Sequence, residues 1–150
     1  MPQLSGHTPF GDITLTAENN ALVSLDWGWA PLDQQETPLL FEAWRALNRY
    51  FDGDPTPFDL PLNPAGTRFQ LRVWTQLRGI PFGRVETYGA IADAVCSAPR
   101  AVGGACGLNP LPIIIPCHRV VAANGSLGGY SGDGGLETKR ALLALEGAAA

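Results

Sequence analysis

The chain has 150 residues, 45% of them hydrophobic and 16% charged, which suits one or two packed domains and excludes a disordered chain. No apolar run approaches the roughly 20 residues of a membrane span, and residues 1–6 lack the basic and apolar regions of a secretory signal. The net charge of −4 divides unevenly: two basic residues face nine acidic ones through Asn63 (net −7), and eight face five from Pro64 onward (net +3), a pointer to a basic working half that an ordinary solvated surface would also explain.

Three cysteines (Cys96, Cys106 and Cys117), an odd number without CxxC spacing, argue against a disulfide framework and a zinc ribbon. A reducing, cytoplasmic setting is the expectation, without metal or cofactor.

Residues 12–16 and 21–27 alternate as strands, with Glu18, Asn19 and Asn20 as the turn between them. Leu40, Trp44, Leu47 and Phe51 lie four, three and four apart and predict a helix over 39–51. Gly53 and prolines 55, 57, 61 and 64 form a loop and linker. The boundary is placed there: domain 1–63 is a small α/β unit without catalytic features, and domain 64–150 carries the chemistry.

In the second domain Phe69, Val73, Leu77 and Ile80 form a helical stripe, ended by Pro81-Phe82-Gly83. Thr87 suits the N-cap of a helix over 88–95. Ser97 is expected to cap a further short helix, with Pro99 in its first turn. Two short helices across a tight turn form a helix-turn-helix pattern.

The second of these helices is nearly bare. Ala98, Ala101, Gly103, Gly104, Ala105 and Gly107 leave few side chains beyond Arg100, Val102, Cys106 and Leu108. Each glycine costs about 1 kcal/mol relative to alanine in a helix. Small residues could serve close helix packing. They could equally narrow a helix for the DNA minor groove, which is about 6 Å wide against the 10–12 Å of an ordinary helix.

Residues 113–115, all isoleucine, predict a short buried strand leading into Pro116-Cys117-His118-Arg119-Val120. A glycine-rich loop follows over 128–135. A final helix over 136–146 places Leu136, Lys139, Leu143 and Glu146 on one stripe. The reactive form of a cysteine is its thiolate, which an adjacent base can generate and a third group can orient. Cys117, His118 and Glu146 provide those three groups. Neighbours on an extended segment face opposite ways, so a water between Cys117 and His118 is plausible. Burial as an inert thiol is the alternative for Cys117, and the favoured reading for Cys96 and Cys106, both expected in helices.

The run Pro116-Cys117-His118-Arg119-Val120, with Asn109-Pro110 and Pro112 before it, resembles the signature of the O6-alkylguanine-DNA alkyltransferases. The similarity extends over about 69–147. It includes Thr87-Tyr88-Gly89, Arg100-Ala101-Val102-Gly103, Tyr130-Ser131-Gly132 and the closing Leu142-Leu143-Ala144-Leu145-Glu146-Gly147.

The resemblance implies an α/β, ribonuclease H-like N-terminal domain and a mostly α C-terminal domain with a helix-turn-helix. It implies stoichiometric, irreversible transfer of the alkyl group of O6-alkylguanine to Cys117, with O4-alkylthymine left open as a second substrate. His118 would act as base through a water and Glu146 would complete the relay. Asn109 would brace the turn before the active-site segment. Tyr88 would hydrogen-bond the extruded base, Ser131 would close over O6, and backbone near Cys117 and Val120 would read the guanine amino group. Arg100 would fill the vacated stack, with Ala101 and Arg119 also at the DNA. The implied partner is double-stranded DNA bearing alkylated bases, bound by a monomer through the minor groove, without a membrane. Asp133 and Gly134 lengthen the 130–136 loop by two residues relative to the usual pattern.

Three other functions fit parts of the chain. A non-catalytic binder of alkylated bases would lack the acceptor Cys117. A helix-turn-helix regulator would need polar readers along its second helix, and a cysteine hydrolase would need an oxyanion hole.

Overall fold

The computed structural model describes residues 1–31, 34–128 and 135–148, and divides into two units, Met1–Ala65 and Gly66–Ala150.

In the first unit β1 (Gln3–Thr8), β2 (Gly11–Glu18) and β3 (Ala21–Trp27) form an antiparallel sheet in chain order. The β2–β3 turn places Asn19 at φ 51° and Asn20 at φ 61°. A two-residue hairpin of this kind needs left-handed backbone at both positions, and asparagine tolerates it. Strand β1 is not expected from the sequence, because Ser5 and Gly6 interrupt its apolar pattern. Gly6 is there for packing: a Cβ on it would lie 2.8 Å from the Trp44 ring. Trp44 sits in α1 (Pro38–Phe51), and its Nε1 donates to the Leu4 carbonyl at 2.9 Å. Thr37 caps α1 by accepting from the Leu40 amide at 3.2 Å, and Leu40, Ala43, Leu47 and Tyr50 are buried.

The second unit starts with a capping box. The Thr67 hydroxyl accepts from the Gln70 amide and the Gln70 side chain accepts from the Thr67 amide, which fixes the start of α2 (Arg68–Arg78). Trp74, beside the expected stripe, is its largest buried residue, and its Nε1 donates to the Ala105 carbonyl at 2.9 Å. Next, β4 (Glu86–Thr87) pairs in parallel with β5 (Val120–Val121). Thr87 also caps α3 (Tyr88–Ala94), accepting from the Ala90 amide at 3.0 Å. The pairing therefore sets the start of α3 beside the Cys117 segment.

Three expectations are corrected. The cap of α4 (Pro99–Gly107) is Ala98, which makes no side-chain bond, and not Ser97. Proline at the first helical position forces the residue before it to be extended, and that residue is Ala98. Cys96 lies in the preceding turn at φ 55°, exposed and outside any helix. Residues 113–115 do not form a strand. They make a buried turn in which Ile113 adopts φ 74° and the Ile115 amide donates to the Leu111 carbonyl at 2.8 Å. Prolines 110, 112 and 116 contribute no amide donors, so a ladder cannot form there.

In α5 (Leu136–Leu145) Lys139, Leu142 and Leu143 are buried, and Glu146 is the C-cap. Leu136 is 45% exposed and does not join that stripe.

Candidate active site

Cys117–Arg119 forms one turn of 3₁₀-helix in place of the expected extended segment. With three residues per turn, successive side chains leave the backbone about a third of a turn apart. Cys117 and His118 therefore take different directions.

The turn is held from behind by Asn109. Its side-chain oxygen accepts from the Leu111 amide at 2.9 Å, and its Nδ2 donates to the Ile115 carbonyl at 2.8 Å. The same carbonyl accepts from the Cys117 amide at 2.8 Å. Placing a β-branched residue at positive φ costs roughly 1–2 kcal/mol. Full burial of Ile113 and the Asn109 strap offset it, so the chain arrives at Cys117 through a strained, rigid bend.

Cys117 is only 6% exposed and lines a cavity of about 750 Å³. The start of α3 contributes Tyr88 and Gly89, α4 contributes Arg100, Gly103, Cys106 and Gly107, and Ala122 and Ala123 lie on the chain after β5. The volume falls within the range of small-molecule sites, and the walls are mostly small or apolar. Burial pushes the Cys117 thiol above its ordinary range, while a hydrogen bond from the Asn109 side chain and the nearby Lys139 charge pull it down. Cys106 borders the same cavity, and burial pushes its pKa up to about 12, which suits the inert reading.

His118 is fully buried. Its Nε2 lies 2.5 Å from Glu146 Oε2. Glu146 is held in turn by Arg119, whose Nε donates to Oε1 at 2.8 Å and Nη2 to Oε2 at 3.1 Å. A third Arg119 nitrogen donates to the Ile80 carbonyl at 2.7 Å, and the Gly83 amide donates to Glu146 Oε1 at 3.3 Å. Burial lowers the His118 pKa below its ordinary value. Glu146 acts against that shift, and the Arg119 and Lys139 charges add to it. The imidazole is therefore neutral at physiological pH. An ionised carboxylate only accepts, so the ring proton sits on Nε2 and Nδ1 keeps a lone pair. Nδ1 is buried and lacks a hydrogen-bond partner among the described residues.

Lys139, whose role the sequence did not show, is fully buried. Its Nζ donates to the Val120 carbonyl at 2.6 Å, to the Leu127 carbonyl and to the Tyr88 hydroxyl at 3.4 Å, and it lies 5.6 Å from the Tyr88 ring centroid. Burial lowers its pKa. Its position on the buried stripe of the last helix was the available signal.

On α4, Val102, Ala105 and Cys106 face inward, whereas Arg100, Ala101, Gly104 and Gly107 are exposed. A Cβ at Gly104 or Gly107 would meet nothing within 4 Å, and one at Gly103 would meet only the Tyr88 ring at 4.0 Å. Internal packing therefore does not require glycine at these positions.

The expected site residues separate accordingly. Cys117, His118, Glu146, Asn109 and Tyr88 are gathered around the cavity and the buried cluster behind it. Arg100 and Ala101 stand on the open face of α4. The Val120 carbonyl is engaged by Lys139. Arg119 is corrected: it is 8% exposed and committed to Glu146 and Ile80, so it does not face DNA. A motif shows that an arginine is present but not which way it turns. Ser131 lies outside the described residues.

A cysteine at an apolar cavity, with a carboxylate-held imidazole next to it in sequence, is the arrangement expected of a protein that uses a cysteine nucleophile. Residues 68–148 match the family model for the DNA binding domain of 6-O-methylguanine DNA methyltransferase, and residues 5–64 match the model for its ribonuclease-like domain. The chain belongs to the 6-O-methylguanine DNA methyltransferase family.

The methylated-DNA–protein-cysteine methyltransferase of Mycobacterium tuberculosis is 44% identical over 147 residues, 93% of this chain and 88% of the relative. The constitutive enzyme of that name from Bacillus subtilis is 42% identical over 154 residues, 95% of this chain and 93% of its own. The crystal structure of Mycobacterium tuberculosis OGT in complex with DNA matches with a TM-score of 0.88 at 41% identity, covering 98% of this chain and 93% of that one.

Proposed function

We propose that this protein repairs DNA by direct transfer of the alkyl group from O6 of guanine to Cys117. The observation that carries the reading is Cys117 at the wall of an apolar cavity beneath the open, nearly bare α4, with His118 and Glu146 sealed beside it. The names of its relatives, methylated-DNA–protein-cysteine methyltransferases at 42–44% identity, describe the same chemistry.

His118 Nδ1 takes the thiol proton through a bridging water. The thiolate attacks the alkyl carbon, so an S–C bond forms and the C–O6 bond breaks. The bonding pair leaves with O6, the Tyr88 hydroxyl gives its proton to the base so that it departs as neutral guanine, and Lys139, whose Nζ donates to that hydroxyl at 3.4 Å, returns a proton to the tyrosinate. A thioether has no ready hydrolytic route, so each molecule reacts once.

The base must leave the stack to reach Cys117, at a cost of a few kcal/mol, least for a damaged pair. We assign that work to the helix-turn-helix of α3 and α4. Gly104 and Gly107 let α4 approach the minor groove, and Arg100 at its start enters the stack in place of the base. Little base-edge reading is available there, which suits a search for lesions anywhere in a genome. In unit 2 Arg68, Arg72, Arg78, Arg84, Arg100 and Arg140 are all exposed, and cations of this kind can offset phosphate charge. We take the working unit to be a monomer. The free cysteines suit a reducing cytoplasm.

The test is transfer of a labelled methyl group from an O6-methylguanine duplex to protein. Wild type should become labelled, while Cys117→Ser should bind the duplex and take up no label. Labelling of Cys117→Ser would overturn the proposal.

A further inference from the structure

We propose that Arg119 is a positioning residue for the transfer: it supplies the cation that pairs with the buried Glu146 carboxylate, and so leaves His118 as a neutral base. This inference rests on the reading of Cys117 as alkyl acceptor.

A charge in a dry site needs a counter-charge. Glu146 is 6% exposed, and an uncompensated carboxylate there would be costly. Arg119 and His118 both lie close enough to be its cation. Arg119 makes a two-pronged contact at 2.8 and 3.1 Å, and His118 Nε2 stands at 2.5 Å. Guanidinium keeps its proton at any working pH, and its fork matches a carboxylate. With Arg119 in place, Glu146 is already neutralised, and His118 has only to donate its Nε2 proton.

Without Arg119 the cationic role passes to His118. The ring would then carry protons on both nitrogens, and Nδ1 could no longer accept one. The charged groups acting on His118 are Glu146 and Lys139 from the last helix region and Arg119 from its own turn. Lys139 is engaged with the Val120 and Leu127 carbonyls and with Tyr88. The Ile80 carbonyl and the Phe82 ring, 6.0 Å from the guanidinium carbon, hold the arginine in place.

The experiment measures single-turnover methyl transfer from an O6-methylguanine duplex against pH for wild type, Arg119→Met and Arg119→Lys, together with affinity for undamaged duplex. Arg119→Met should be slower at every pH, and about tenfold slower at pH 6 than at pH 8 beyond any wild-type difference, because its base protonates at higher pH. Arg119→Lys keeps the charge, so its profile should hold the wild-type position while the rate falls. If Arg119→Met does not fold, Arg119→Gln takes its place, with the same expected pH dependence.

Affinity and its salt dependence should not change in either variant. Equal fractional loss at every pH in Arg119→Met would reduce Arg119 to a structural role and overturn the inference. Weaker duplex binding with a shallower salt slope would return Arg119 to the DNA surface and overturn it too. No transfer by wild type would instead overturn the functional reading itself.

Discussion

Gly104 separates the two reasons for a bare helix. It lies within α4, is exposed, and has no heavy atom within 4 Å of where a Cβ would sit. Gly104→Ala therefore meets no steric cost and regains helix propensity of up to about 1 kcal/mol. For a unit of this size that raises the melting temperature by roughly 4 °C or more. Gly104→Leu starts from the same open Cβ position and adds a branched side chain to the face assigned to the groove. The paired assay is a thermal melt and fluorescence anisotropy on a labelled undamaged duplex. Gly104→Leu should fold with near wild-type stability and bind DNA at least tenfold more weakly, about 1.4 kcal/mol. Undiminished affinity in Gly104→Leu would refute the groove assignment. Destabilisation by Gly104→Ala would mean that packing needs the glycine after all.

Two further outcomes follow from the site. Burial lowers the His118 pKa, so as pH falls below about 6.5 the unfolded chain binds a proton that the folded protein refuses. Stability is then fully present above that pH and falls below it, by up to about 1.4 kcal/mol per pH unit. Urea midpoints that stay flat between about pH 7 and pH 5 would contradict the neutral imidazole. Arg100→Ala should slow repair in duplex DNA about tenfold more than in single strands, where there is no stack to fill. Equal rate losses on both substrates, measured by methyl transfer, would remove its intercalating role.

Much of this was legible in the chain because local chemistry decided it. Asn19-Asn20 specified a turn, and Thr87 specified a helix start. The spacing of Leu40, Trp44 and Leu47 gave one buried face of α1. Cys117, His118 and Glu146 were readable as a set because a nucleophile, a base and an orienting carboxylate are the residue types such chemistry needs.

What stayed hidden depended on partners distant in sequence. The inward turn of Arg119 depends on Glu146 being buried and on the Ile80 carbonyl being within reach. Lys139 is buried because backbone carbonyls at Val120 and Leu127 receive it, and backbone carbonyls have no signature. The isoleucines at 113–115 read as a strand because they are apolar and β-branched. Three flanking prolines and the Asn109 strap made them a bend instead. The Thr67–Gln70 capping box is a local signal, and its spacing alone would have marked the start of α2.

The most direct test titrates an O6-methylguanine duplex against the protein and maps the modified residue by tandem mass spectrometry. The expected result is one added CH₂ per molecule, all of it on Cys117 and none on Cys96 or Cys106, with reaction ending at one equivalent. Methyl groups on another residue, or continued repair beyond one equivalent, would contradict a single-use acceptor at Cys117.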